Sequence, residues 1–338
     1  MKMKKKLLKI IGAVVIGIVL LTVLVLLGFK LVDYVRHHDF YANAKPAFAM
    51  PGVGDDFVQQ GFDYIPEEGI FLAAGYMNDG TASRVYVLYP DGTITYTALK
   101  KADGSDYKGH TGGIAHFGHS IYITGSDGID VFSYDEILSG AESTKMLTTV
   151  ATFNDPAYCY VQNGYLLSGA FYREGSHETA AYEHMTTPAG DQHRSIITVF
   201  KLEAWLVHGI DPTPVAVIST PDHVQGMCIT EDGRVILSTS YGLSTSKLMV
   251  YDPTKIASST VSFAGTTEGG EIFDFGTLPV YYLDSSSLVK IVKAPPMAEE
   301  MVWLEGKVYI LNESASSKYI FGNITSGRKV YAYALDEK

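Results

Sequence analysis

Cysteine is nearly missing from this chain: Cys159 and Cys228 are the two among 338 residues. They form no CxxC pair, which removes the common thiol-redox and zinc-ribbon spacings. Tryptophan is equally scarce, with two residues. There is no Gly-x-Ser-x-Gly, no Gly-rich phosphate loop and no HExxH, so the sequence carries no signature of a serine hydrolase elbow, a nucleotide site or a zinc protease. Acidic residues are absent from the first thirty positions, which hold Lys2, Lys4, Lys5, Lys6, Lys9 and Lys30. The formal net charge is −11, and taking those six lysines away leaves −17 on residues 31–338. A domain this acidic repels nucleic acid phosphates, which argues against that partner class. The same charge also serves the solubility of an exported protein.

What the N-terminus does contain is an uncharged apolar run from Ile10 to Phe29, long enough to span a bilayer as a helix. Lysines before it and few after it predict a cytoplasmic N-terminus and an external C-terminal domain. Ala42-Asn43-Ala44 has the small-x-small form of a signal peptidase site, but its distance from the run, and the run's length, favour a retained anchor. The expected organisation is a basic cytoplasmic tail over 1–9, a transmembrane anchor over 10–29, a stalk over 30–54 and one domain over 55–338. Arg36-His37-His38-Asp39 reads as solvated linker.

Within that domain a strand-pair pattern returns five times. Gln60-Gly61-Phe62 runs through Gly69 to Ala74-Gly75-Tyr76, and Gln225-Gly226-Met227 runs through Gly233 to Ser238-Thr239-Ser240-Tyr241. The remaining copies start at Gly112-Gly113-Ile114, Ala157-Tyr158-Cys159 and Glu299-Glu300-Met301. A third strand follows in each, and Asp91-Gly92 between alternating segments is a strong hairpin signal. The fold class is therefore all-β, a β-propeller of five four-stranded blades preceded by one transmembrane helix. Blades are expected near 60–100, 110–152, 156–220, 224–294 and 297–335. A sixth blade is the alternative, drawn from Glu271–Ala294, where Pro279–Leu283 and Leu288–Val292 look like a hairpin; lacking a first-strand signature, that segment reads better as an insertion or as outer strands of the fourth blade. The last copy lacks an outer strand, which the segment near Phe48–Val58 can supply to close the ring. Innermost strands of adjacent blades stand too far apart for a disulfide, so both thiols are expected to be free and buried. Two insertions, Arg173–Arg194 and the Gly-, Thr- and Ser-rich Ser258–Gly276, show no clear periodicity.

Strand starts and second-strand ends share one face of such a disc. That gathers Gln60, His110, Tyr158, His223, Gln225, Tyr241, Glu299, Glu300 and Glu313 as a candidate ligand site, with Tyr76 and Tyr172 beside them. The tyrosines at the channel mouth are suited to stacking on a flat ligand. Gly61, Gly113 and Gly226 also fit a purely structural role where backbones approach closely. Adjacent strand residues point to opposite sides, so one of Glu299 and Glu300 is expected to face the channel. With Glu313 they form a candidate calcium set of hard oxygen ligands, able to polarise an ester or lactone carbonyl; without a metal, a carboxylate beside His110 would orient it as a general base.

His110-Thr111-Gly112-Gly113, the Gln-Gly-hydrophobic starts, Ser238-Thr239-Ser240-Tyr241-Gly242 and Pro295-Pro296-Met297-Ala298-Glu299-Glu300-Met301 resemble an uncharacterised group of secreted or membrane-anchored bacterial propeller proteins, over roughly residues 55–335. That resemblance implies the fold and an external location. A looser likeness runs to calcium-dependent lactonase and strictosidine-synthase-like propellers, which hold a metal in the central channel on Asn and Asp ligands; the matching positions here are Gln60, Gly112 and Gln225. Three functions follow as expectations: a membrane-anchored propeller binding a small ligand or an envelope protein at the channel face, a calcium-dependent hydrolase of a lactone or ester, or a structural module of a cell-envelope assembly.

Overall fold

The computed structural model describes residues 2–267, 269–319, 322 and 328–336. Five largely antiparallel sheets form the blades of a β-propeller. Blade 1 comprises Phe57–Ile65, Ile70–Met77, Arg84–Leu88 and Ile94–Lys100, with Ser143–Lys145 added parallel at its outer edge; blade 2 comprises Ile114–Phe117, Ser120–Thr124, Ile129–Ser133 and Thr148–Val150. Blade 3 starts with Pro156–Gln162, Tyr165–Ala170, Ser195–Leu202 and Ile210–Thr220, and blade 4 has Val224–Ile229, Val235–Thr239, Ser246–Tyr251 and Leu288–Ala294. Blade 5 has Ala298–Leu304, Lys307–Asn312 and Lys329–Ala334. Alternating apolar side chains fill the spaces between blades, as where Ile65, Leu72 and Val85 of blade 1 meet Ile114, Ile121 and Phe132 of blade 2. Each such side chain contributes about 1.5–3 kcal/mol on burial.

The ring closes with Ala44–Ala49, which pairs antiparallel with Lys329–Ala334 as the outer strand of blade 5. This lies N-terminal to the expected Phe48–Val58. A turn over 51–56 is needed to enter blade 1, and the register slips between Pro46 and Phe48, where proline has no N–H to give the ladder. The propeller thus begins ahead of residue 55, and the expected stalk over 30–54 is in part a blade strand.

Two other expectations change. Leu288–Ala294 is the outer strand of blade 4, as the sequence suggested, but Ile272–Tyr282 pairs parallel with Ile210–Thr220 of blade 3. With Ala257–Thr266 it forms a long hairpin that leaves blade 4 and extends blade 3 to six strands. Phe263, Phe273 and Phe275 on that hairpin pack against Phe153 and Tyr182 and extend the core shared by blades 2 and 3. The other insertion, 173–194, holds a short 3-10 turn at Ala181–Glu183 and the hairpin Met185–Thr186 with Gln192–His193.

A helix over Lys2–Arg36 carries the apolar run, exposed throughout, and is a candidate single-pass membrane anchor. Its end is fastened to the propeller. His37 is buried, with Nδ1 2.8 Å from the Asp33 carboxylate and Nε2 3.1 Å from the Thr245 hydroxyl; the Tyr41 hydroxyl donates to Asp33 at 2.6 Å. Phe40, in the short helix His38–Asn43, stacks on Tyr333 at 5.6 Å. His37 is therefore no solvated linker residue: it docks the end of the apolar helix on blade 4.

Candidate functional site at the channel face

Five inner strands around one axis crowd their backbones, and the glycines of the repeat are the response. A Cβ on Gly61 would lie 2.8 Å from the Gly113 carbonyl carbon, one on Gly113 would lie 2.4 Å from the Cys159 nitrogen, and one on Gly226 would lie 2.5 Å from the Glu300 Cα. Real side chains do not tolerate such contacts, so in these copies the glycine is needed for close approach alone. Two copies replace it. Tyr158 turns its ring outward over Gly169, where a Cβ would come within 2.0 Å of the ring, and lies fully buried among Leu167, Ile197, Val224 and Met227. The fifth copy has Glu300.

Glu300 fills the axis. Its Oε2 accepts from the backbone N–H of Phe62 at 2.6 Å and of Ile114 at 3.1 Å, while Oε1 accepts from the N–H of Cys159 at 3.0 Å. The donors lie at the inner-strand entries of blades 1, 2 and 3, so one carboxylate ties three blades to a fourth. Burial raises its pKa well above the usual carboxylate range, and the three N–H bonds oppose that rise. Glu300 and Tyr158 consequently leave the expected ligand set: one carboxylate is saturated by backbone donors, and one ring belongs to the core between blades 3 and 4.

Above this plug the channel opens into a cavity of about 980 Å³. Gln60, His110, Gln225, Tyr241, Glu299 and Glu313 all line it, with Asp155, Phe171, Met297 and Tyr319. The register shifts at Gln59/Gly61, Pro156/Tyr158, Val224/Gly226 and Ala298/Met301, so the first strand of four blades carries a β-bulge at its entry. A bulge breaks strict alternation and re-aims a side chain. That is why Gln60, Gln225 and Glu299 converge here. His223 stands at the rim behind Tyr241, at 6.2 Å between ring centroids, with a φ of +66°.

Glu299 is 3% exposed, and among the described residues its carboxylate has no hydrogen-bond partner. Its pKa is driven well up by burial, then by the nearby Glu313 and Glu300 carboxylates. Glu313 is half-buried and accepts from the Tyr319 hydroxyl at 2.8 Å. Burial raises its pKa as well, offset by that bond and by the Lys318 ammonium. Lys318 sits 4.9 Å over the Tyr76 ring, which in turn stacks on His110 at 4.8 Å. Solvent reaches the His110 imidazole, yet the protein wall around it desolvates the charged form, and with Lys318 and His177 nearby its pKa is lowered to about 4. His110 is thus neutral at ordinary pH and, among the described residues, no carboxylate hydrogen-bonds to it, so the expected carboxylate-oriented base is not formed. The calcium set also loses a member with Glu300: among the described residues no group of three or more His, Cys, Asp or Glu side chains is arranged to hold a metal ion. Cys159 and Cys228 are free and buried.

The cavity mouth and the end of the apolar helix share a face. The connection between the second and third strands of blade 4 carries Tyr241 and Gly242, which line the cavity, and Thr245, which receives His37. Sequence reasoning missed this link; the only signal was an Asp and a His spaced i, i+4 at the end of an apolar helix.

No protein-family model and no curated protein matches the chain. Among solved structures it is similar to the PQQ-bound aldose sugar dehydrogenase of Streptomyces coelicolor, at 11% identity and a TM-score of 0.43, over 86% of this chain and 96% of that one. It is similar also to a putative glucose dehydrogenase of Thermus thermophilus, at 10% identity and a TM-score of 0.43, over 86% and 98%. A third likeness is to BamB of Moraxella catarrhalis, at 8% identity and a TM-score of 0.34, over 82% and 85%. The five-bladed fold of this chain rests on its own strand pairing.

Proposed function

We propose that this chain is a membrane-anchored, extracytoplasmic β-propeller that binds a small ligand in the cavity at its channel face. The observation that carries the reading is the convergence of bulged strand entries on one cavity whose floor holds a buried carboxylate without a partner among the described residues. An occupant that brings hydrogen-bond donors competes with cavity water and with a proton for its oxygens. The external location follows from the lysines ahead of the apolar helix.

Thermal unfolding of the full chain in an uncharged detergent, screened against cationic, neutral and anionic small molecules, tests it. At least one class is expected to raise the midpoint in the wild type and not in Ala157→Trp, which places an indole in the cavity. A midpoint unmoved by every class, or moved equally in the blocked variant, contradicts the reading.

The envelope-partner reading draws on the opposite face, where Trp205 and Val207, in the loop between the third and fourth strands of blade 3, are each 78% exposed. The calcium-dependent hydrolase would now depend on Glu299 and Glu313 with the Gln60 and Gln225 carbonyls. A calorimetric titration with calcium chloride checks it, and absence of saturable heat removes it.

A further inference from the structure

Resting on that ligand-binding reading, the geometry points to the chemical class of the occupant: we infer that the cavity takes a compact organic cation, an ammonium group with an apolar or aromatic body, held between the Glu299 and Glu313 carboxylates.

Charge is the first argument. The cavity wall holds Asp106, Asp127, Asp130, Asp155, Glu299 and Glu313, against Lys101 and Lys108 on the wall and Arg173 and Lys318 at the rim. An anionic ligand would enter against this field, whereas a cation is drawn in by it. The second argument is where the charge goes unanswered. Asp130 accepts from the Tyr107 hydroxyl at 2.7 Å, and Asp106 is paired with Lys100. Glu313 has the Tyr319 hydroxyl and the nearby Lys318 ammonium. Among the described residues Glu299 has neither a donor nor a cation beside it; its nearest charges are two further carboxylates. An ammonium group carries donors and a positive charge, which are the two things Glu299 lacks.

The third argument is the rest of the wall. Phe171, Tyr241, Tyr319 and Met297 supply apolar and aromatic surface. Two of these aromatics already hold cations of the chain itself at the rim: the Arg173 guanidinium lies 3.8 Å over the Tyr241 ring and the Lys318 ammonium 5.1 Å from that of Tyr319. Those contacts each occupy a ring face, which leaves Phe171 and Met297 to meet the apolar body of the ligand while its ammonium goes to Glu299. A divalent metal ion would need six or more oxygens at short range and has no use for these rings.

Calorimetry on the full chain in an uncharged detergent, with phenethylamine and its neutral counterpart 2-phenylethanol as probes, tests the inference. The amine is expected to bind at least about tenfold more tightly than the alcohol, the size of effect of a hydrogen bond to a charged group. Glu299→Gln should lower amine affinity by about tenfold or more and leave the alcohol unchanged. Glu313→Gln provides a second, half-buried position where the same direction is expected. Equal affinity for the two probes, or amine binding untouched in both variants, overturns the cation while leaving the ligand-binding reading intact. No binding of either probe, alongside a hit from the neutral or anionic class in the thermal screen that Ala157→Trp abolishes, likewise overturns the cation alone; no hit from any class removes both.

Discussion

Glu299 and Glu300 are neighbours in sequence, equally buried, and opposite in circumstance. Glu300 accepts three backbone N–H bonds from three other blades; one position earlier, Glu299 lines an open cavity with no partner among the described residues. The difference shows that burial alone does not mark a functional acid. A carboxylate whose lone pairs are filled by the backbone is part of the scaffold, however deeply it sits at the axis. The one left unsatisfied at the edge of a cavity is available to something that enters.

The largest effect expected of any substitution that breaks this contrast is at Glu300. Glu300→Ala orphans three buried N–H groups and should lower stability by about 3–5 kcal/mol, read from denaturant unfolding followed by far-UV circular dichroism. Loss below about 1 kcal/mol would mean that water replaces the carboxylate and the axis is not tied by it. Next come the glycines that let the axis close. Gly113→Ala and Gly226→Ala bring a methyl against backbone atoms of the neighbouring inner strand, and each should cost about 2–4 kcal/mol. Gly118→Ala has open space around it but a φ of +56°, so a smaller loss of about 1 kcal/mol serves as the control for backbone strain without crowding.

How far the sequence reveals this contrast depends on what carries each part. The five repeats, the glycines at the axis and the convergence of Gln60, Gln225 and Glu299 are local features that recur, so alignment of the copies exposes them. What separates Glu300 from Glu299 is a β-bulge and three donors on strands some 140 to 240 positions away, and no periodicity encodes a contact of that range. Tyr158 misleads for the same reason: it occupies the glycine position of the repeat, but a glycine at 169 on the neighbouring strand lets its ring turn into the core. The hairpin of Ala257–Thr266 and Ile272–Tyr282 carries Phe273 and Phe275 in alternation, a signal diluted by the Gly- and Thr-rich tip between its strands.

A third buried acid widens the comparison. Glu183 accepts from the Ala180 N–H with one oxygen while the other has no partner among the described residues, and burial raises its pKa from the ordinary 4.5 to about 8. The folded state thus favours the protonated acid. The stability this adds is fully present below about pH 4.5 and lost as pH rises through about 8. Glu183→Gln should flatten that decline by about 1–3 kcal/mol, read from urea unfolding between about pH 5 and about pH 9. An unchanged slope would show that solvent reaches the acid. A modest loss is also expected at the end of the apolar helix: His37→Ala removes the bonds to Asp33 and Thr245 and should cost about 1–2 kcal/mol, with a local rise in amide exchange over 241–245.

The most direct test sets the two neighbours side by side, by denaturant unfolding of the full chain with Glu299→Gln and with Glu300→Gln. An amide at 300 offers one acceptor oxygen and turns an amino group toward N–H donors, so a loss of about 2–4 kcal/mol is expected; an amide at 299 relieves a buried, unpartnered acid and should leave stability unchanged or raise it by about 1 kcal/mol. Equal losses at both positions, or a larger loss at 299, would contradict the division of scaffold from site.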